Sequence, residues 1–328
     1  MSEETREQDP RGVIDSDTST ARRMLAQGRA APAFELLQRT PSSDRGSEQN
    51  LLLMRAAVAI GDVNAARATA YALSNLDDAP REALLEVVEF FREDGDLDGR
   101  RTLLERMISE RPDDHTVNIE MARWLADEGW NDKALERACH AAECAPGKKE
   151  RAEAQSLLFS LSDPEGEAAF KELTREVFTG DPARVAAELS KTVAAHPELA
   201  EGWLFLGFVM RRLGRRRSAA QAFVRCAQLS DDANAHRELG ALFGEFGRPR
   251  RAALHSKRAL ELLGGSDRVA LLNFAAACCG DGQFEEAAGA LARVGELYPD
   301  EPGIEVVAEA IALATRPARG FHGAGMGG

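Results

Sequence analysis

AEGWLFLGFVMRRLGRRRSAAQAFVRCAQLSDD, residues 200–232, decides the fold. Its apolar residues Trp203, Leu206, Met210 and Leu213 recur at the three-to-four-residue spacing of one helix face. Gly214 breaks that pattern, and Ala219, Ala222, Phe223 and Cys226 then mark the face of a second helix. The small residues Gly207 and Ala219 let the two helices approach closely.

The layout recurs along the chain. In the following copy Leu239–Gly240, Gly247, Ala252 and Ala259 take the places of Leu206–Gly207, Gly214, Ala219 and Cys226. A further copy carries Phe274–Ala275, Gly282, Ala287, Val294 and a closing Pro299. Earlier copies are weaker but in phase. One has Met121–Ala122, Leu125, Gly129, Ala134, Ala141 and Pro146, and another has Leu84, Val87, Phe91, Gly95 and Pro112, with Arg100 where alanine is expected. Leu53, Ala57, Gly61 and Ala66 mark one more, and a partial copy around Met24, Gly28, Ala33 and Leu37 starts the array.

These segments resemble tetratricopeptide (TPR) repeats, whose pattern is W-x2-L-G-x2-Y, then A-x3-F, then P. Here it reads Trp203-x2-Leu206-Gly207-x2-Met210 and Ala219-x3-Phe223, with Asp231 in place of the closing proline. The resemblance implies an all-α, right-handed α-solenoid of about seven helix-turn-helix repeats, whose first helices line a concave groove. Phase is lost in the middle, so an irregular helix at 148–165 is expected between an N-terminal array at 15–147 and a C-terminal array at 166–301. A disordered segment at 1–14, a capping helix at 302–318 and a flexible glycine-rich tail at 319–328 complete the expected organisation.

Bulk composition narrows the function. The 328 residues carry a formal net charge of −13, which argues against general affinity for nucleic acid. "MSEETREQDP" lacks the apolar core of a secretory leader, and no apolar run reaches the ~20 residues of a membrane span. A cytoplasmic protein with no membrane insertion is the expectation. The five cysteines form no CxxC pair and suggest no disulfide framework. His140 and Cys144 lie four apart, an acceptable spacing for two metal ligands, but two are too few and no metal or cofactor is expected. No nucleophile–base arrangement stands out, so the chain reads as non-catalytic.

The arginines carry the remaining signal, in a chain whose acidic clusters lie earlier, at 77–78, 92–99 and 112–114. That bipolarity suits partner steering or head-to-tail self-association. In the repeat frame Arg215, Arg216 and Arg217 occupy one hairpin turn, and Arg248, Arg250 and Arg251 occupy the next. Together they are expected to form a basic ridge. Arg211 and Arg212 end a first helix. On the family's geometry they face the groove with Arg237, beside Leu204, Phe208 and Asn273.

Some TPR domains grip a partner's C-terminal carboxylate with a Lys-x3-Asn pair and further polar residues. Leu204 and Phe208 replace that pair here, and Ala241 stands where the clamp has asparagine, so a clamp of that kind is not expected. The expected function is a scaffold or adaptor binding a protein or peptide partner, of acidic or mixed acidic–apolar character, in the C-terminal groove. The alternatives are a regulatory protein touching nucleic acid or another polyanion through the ridge, and an accessory subunit of an enzyme or export pathway. The absence of aromatic stacking residues among the ridge arginines counts against the nucleic-acid alternative.

Overall fold

A computed structural model of the chain describes residues 10–300 and, beyond them, residues 305, 308, 309 and 312; side chains are described from residue 15. The expected tail at 319–328 and most of the capping helix at 302–318 lie outside the described residues. So do residues 1–9 of the segment 1–14, while the first helix begins at Pro10, inside that segment.

The described residues form helices and turns, and contacts divide the chain into two units, residues 1–141 and 142–328. In the first unit α1 (Pro10–Ala26) pairs with α2 (Ala30–Gln38), α3 (Ser47–Ile60) with α4 (Val63–Ser74), and α5 (Arg81–Asp94) with α6 (Leu97–Glu110). Helix α7 (His115–Asp127) runs through the αL glycine Gly129 into α8 (Asn131–Glu143), and His115 Nδ1 lies 2.8 Å from the Ala141 carbonyl oxygen. In the second unit α10 (Pro164–Glu176) pairs with α11 (Pro182–Ala195), and α12 (Ala200–Arg212) with α13 (Arg216–Ser230). The last two pairs join α14 (Ala233–Glu245) to α15 (Pro249–Leu262) and α16 (Arg268–Gly280) to α17 (Phe284–Leu297). The pairs number eight among the described residues, one more than expected, because α1 and α2 make a full pair rather than a partial start.

The odd helix is α9 (Lys148–Ser162). It packs against α10 and also against α13, which lies two pairs further along the chain. Phe159 anchors it, stacking edge-on to Phe170 at 5.9 Å and against the His196 ring at 4.5 Å.

The motif residues pack where a helical hairpin needs them. Ala219, Phe223 and Leu239 are fully buried, and Cys226 is 1% exposed. A Cβ on Gly207 would come within 2.5 Å of the Phe223 ring, so only glycine admits that ring between α12 and α13. Burying one such aromatic side chain stabilises the fold by roughly 2–3 kcal/mol. Asp231 ends α13 in the left-handed region, φ 55°, where other copies close with proline. Its carboxylate accepts from Arg258 Nε at 3.0 Å and sits 2.9 Å from His236 Nε2, contacts that hold this conformation in place. Arg100, the departure from the alanine pattern, is 1% exposed on α6 and reaches Asp127 at 2.9 Å.

Candidate interaction sites in the second unit

Most polar groups of the expected groove are already engaged within the chain. Arg211, late on α12, bridges to α14 by pairing with Glu238 at 2.9 Å and Glu245 at 3.1 Å. Arg212 does not join it. Its guanidinium donates to the carbonyl oxygens of Val177 and Gly180, the latter at 3.0 Å, and so closes the chain after α10. Arg237 on α14 reaches Asp267 at 3.5 Å, the residue that caps α16. Asn273 on α16 donates to the Arg237 carbonyl oxygen at 3.5 Å. Leu204 and Phe208 are half-buried, with the Phe208 ring 5.3 Å from Phe223 and 5.6 Å from Phe178. The first-helix face therefore presents ion pairs over partly covered apolar groups.

The ridge is arranged differently. Arg216 pairs with Glu245 at 3.0 Å and Arg250 with Asp281 at 3.6 Å. Among the described residues Arg215, Arg217, Arg248 and Arg251 have no carboxylate partner. Arg251 lies over the Phe243 ring at 5.7 Å, and His255 stacks on the same ring at 5.3 Å and 16°. Burial, with the positive charges of His236 and Arg251, pushes the His255 imidazole down to about 4.

Between the start of α13 and the end of α14 opens a pocket of about 570 Å³. Arg217, Ala220, Gln221 and Val224 form one wall, and Phe243, Phe246 and Arg248 the other. Two arginines of the expected ridge thus flank a cavity of mixed polar and apolar lining. This corrects the expectation that the ridge arginines lack aromatic neighbours: Phe243 and Phe246 stand among them. Sequence reasoning missed these rings because Phe243 matches Met210 and Phe246 matches Leu213 in the repeat, positions that read as packing.

Helix ends reinforce the positive character of this corner. Arg215 and Arg248 are the N-cap residues of α13 and α15, and neither makes a capping hydrogen bond. No acidic residue stands in the first turn of either helix. Their uncompensated N–H groups add the positive end of the helix dipole to the arginine charge.

In the first unit, His140 lies 3.2 Å from Asp113 and 3.3 Å from the Pro112 carbonyl oxygen, and α8 ends one residue before Cys144. Cys226 and Cys278 are buried, and burial raises their thiols to about 12 and about 11. They are packing residues, poorly suited to act as thiolates.

Within each unit, paired antiparallel helices joined through αL glycine turns, with a small-residue contact at Gly207 in the second, give the all-α hairpin repeats that the resemblance to tetratricopeptide repeats implies. Solved structures to which the chain is similar include PilW, a type IV pilus biogenesis factor, at 16% identity and TM-score 0.35 over 70% of this chain and 100% of that one. YrrB, a TPR protein with an unusual peptide-binding site, is similar at 17% identity and TM-score 0.35, over 63% of this chain and 97% of that one. The Cut9–Hcn1 hetero-tetramer of the APC/C aligns at 14% identity and TM-score 0.36, over 89% of this chain and 54% of that one. No protein-family model matches the chain. No curated protein matches it either. Among the described residues no helix is long and apolar enough to cross a membrane.

Proposed function

We propose that the chain is a non-catalytic interaction scaffold that holds a partner segment along the first helices of its second unit, α12, α14 and α16. The observation that carries this reading is the character of that face. Leu204 and Phe208 offer partly covered apolar surface, flanked by the partly exposed pairs Arg211–Glu238 and Arg237–Asp267, whose side chains are 21–32% exposed. Such pairs contribute little to stability where solvent reaches them, so an incoming carboxylate exchanges with Glu238 or Asp267 at small cost. Asn273, already bonded to the Arg237 carbonyl, fixes the backbone beneath the exchange site. Arg212 takes no direct part in this face, being spent on the end of α10.

Peptides selected from a displayed random library on the purified protein test the reading. Selected peptides should slow amide exchange on α12, α14 and α16 and bind more weakly as salt rises. Leu204→Lys should abolish that protection while leaving the helical circular-dichroism signal intact. Protection confined to the first unit, or protection of α12 and α16 that survives Leu204→Lys, sinks the proposal.

A further inference from the structure

We propose that the pocket between α13 and α14 is a second docking site, for a partner segment in which one aliphatic or aromatic side chain is flanked by carboxylates. It shares α14 with the first-helix face through Phe243, but none of its lining residues is Leu204, Phe208, Arg211, Arg237 or Asn273, so the two sites can fail or stand independently.

The occupant's chemistry follows from the walls. Ala220, Val224, Phe243 and Phe246 supply an apolar floor large enough for one bulky side chain. Arg217 and Arg248 stand on opposite walls without carboxylate partners, and Gln221 offers an amide on the Arg217 wall. Carboxylates on either side of the inserted residue satisfy both guanidinium groups through charge-assisted hydrogen bonds. Of the six arginines of the two turns, Arg216 holds Glu245 and Arg250 holds Asp281, while the two that line the pocket, like Arg215 and Arg251, hold no carboxylate. The helix N-termini capped by Arg215 and Arg248 carry no acidic first-turn residue, which leaves the corner positive even though the chain carries −13 overall.

A protein segment fits better than a nucleic acid. Phe243 is only 7% exposed and is covered by His255 and Arg251, so its face is not free to stack a base. Two of the six ridge arginines are neutralised by carboxylates, which shortens any track for a phosphate backbone. The pocket instead takes a side chain end-on and fixes its acidic neighbours at the rim.

Fluorescence anisotropy with a fluorescein-labelled peptide Gly-Ser-Glu-Phe-Glu-Ser-Gly tests the site on the full chain. Saturable binding is expected, weakened roughly tenfold when the Phe becomes Gly or when both Glu become Gln. Arg217→Glu and Arg248→Glu should each weaken it by roughly tenfold or more, since each reverses an exposed charge. Arg217→Gln keeps the comparison valid if the charge reversal disturbs folding, and Leu204→Lys should leave this binding unchanged. The proposal is overturned by an absence of saturable binding up to about 1 mM peptide. Binding indifferent to both arginine variants also overturns it. So does tighter binding of labelled oligouridylate lost in the same variants, which assigns the corner to RNA.

Discussion

Two hairpin turns in each unit share a backbone and differ in chemistry. In the first unit Gly61–Asp62 and Gly95–Asp96 join α3 to α4 and α5 to α6; in the second, Gly214–Arg215 and Gly247–Arg248 join α12 to α13 and α14 to α15. All four glycines have φ between 64° and 78°, the left-handed conformation that lets a helix end and reverse within one residue. The next residue begins the second helix. Asp62 and Asp96 accept from the N–H of Ala65 and Gly99 at 3.0 and 2.9 Å, whereas Arg215 and Arg248 make no side-chain cap. The two aspartate turns stabilise their helices, whereas the two arginine turns leave the same donors open and set cations beside them, and the pocket at Arg217 and Arg248 lies there. The contrast belongs to these four turns, since Arg29 of the first unit makes no cap and Asp181 of the second caps α11.

If turns are secondary to helix contact for stability, the largest loss must come from the interior of a hairpin. Gly207→Ala pushes a methyl to within 2.5 Å of the fully buried Phe223 ring, which has no free direction to move. We expect a loss of about 2–3 kcal/mol in urea denaturation. A loss below that of a single cap removal would break the comparison, since the turns would then matter more than the contact.

Next come the aspartates. Asp62→Ala and Asp96→Ala should each cost about 1 kcal/mol, with Asp96→Ala the larger because Asp96 also accepts from the Tyr71 hydroxyl at 2.6 Å. The faster amide exchange should be confined to α4 and α6, with α13 and α15 unchanged.

Acid separates the units by a different group. His255, held down to about 4, is neutral in the fold, while the unfolded chain takes up a proton near 6.5. Unfolding therefore binds a proton as the pH falls below 6.5, and stability contributed by the neutral ring drains away until about pH 4. The ring faces His236, Phe243 and Arg251, and solvent access limits the loss to about 1 kcal/mol. Asp231 and Asp114, both held below the usual carboxylate range first of all by Arg258 and Arg81 respectively, lose their contributions only under more acid conditions. Between pH 6.5 and 4 the decline should thus appear in α14 and α15 by hydrogen exchange, and His255→Gln should flatten it. An equal decline in α3–α6 would show that the units respond to something they share.

Much of this architecture was legible because packing repeats and surface does not. Gly207 and Ala219 recur as Gly240 and Ala252, and small residues recurring on paired helices have one physical explanation, two helices in close contact; Phe223 itself gives way to Ser256 in the next copy. The lone α9 registered as a loss of phase, but its packing on α13 did not, since nothing local in residues 148–162 encodes a partner so far along the chain. The ridge turns followed from the repeat frame. The state of each arginine did not: whether Arg211 meets Glu238, or Arg212 the carbonyl of Gly180, depends on neighbours one repeat away and on rotamers. Phe243 and Phe246 were hidden for the opposite reason, because an aromatic at a packing position reads as core even where one edge opens onto a cavity.

The smallest expected effect sharpens the comparison most, because it converts one kind of turn into the other. Arg215 sits at φ −81°, ψ 63°, close to Asp62 at −84°, 80° and Asp96 at −82°, 81°. The backbone is therefore already poised for a capping carboxylate, and Arg215→Asp should gain about 0.5–1 kcal/mol by satisfying an open N–H of α13. Arg215 does not line the pocket, so binding of the Glu-Phe-Glu peptide should change little. Arg248→Asp makes the equivalent cap at α15 but removes a wall of the pocket, so stability should rise while affinity falls. Opposite signs for the two readouts at residue 248, set against a stability gain with little change in binding at residue 215, would mean that the arginine turns forgo capping to keep a site open. A drop in stability for both variants would mean instead that these arginines hold the turns together through contacts of their own.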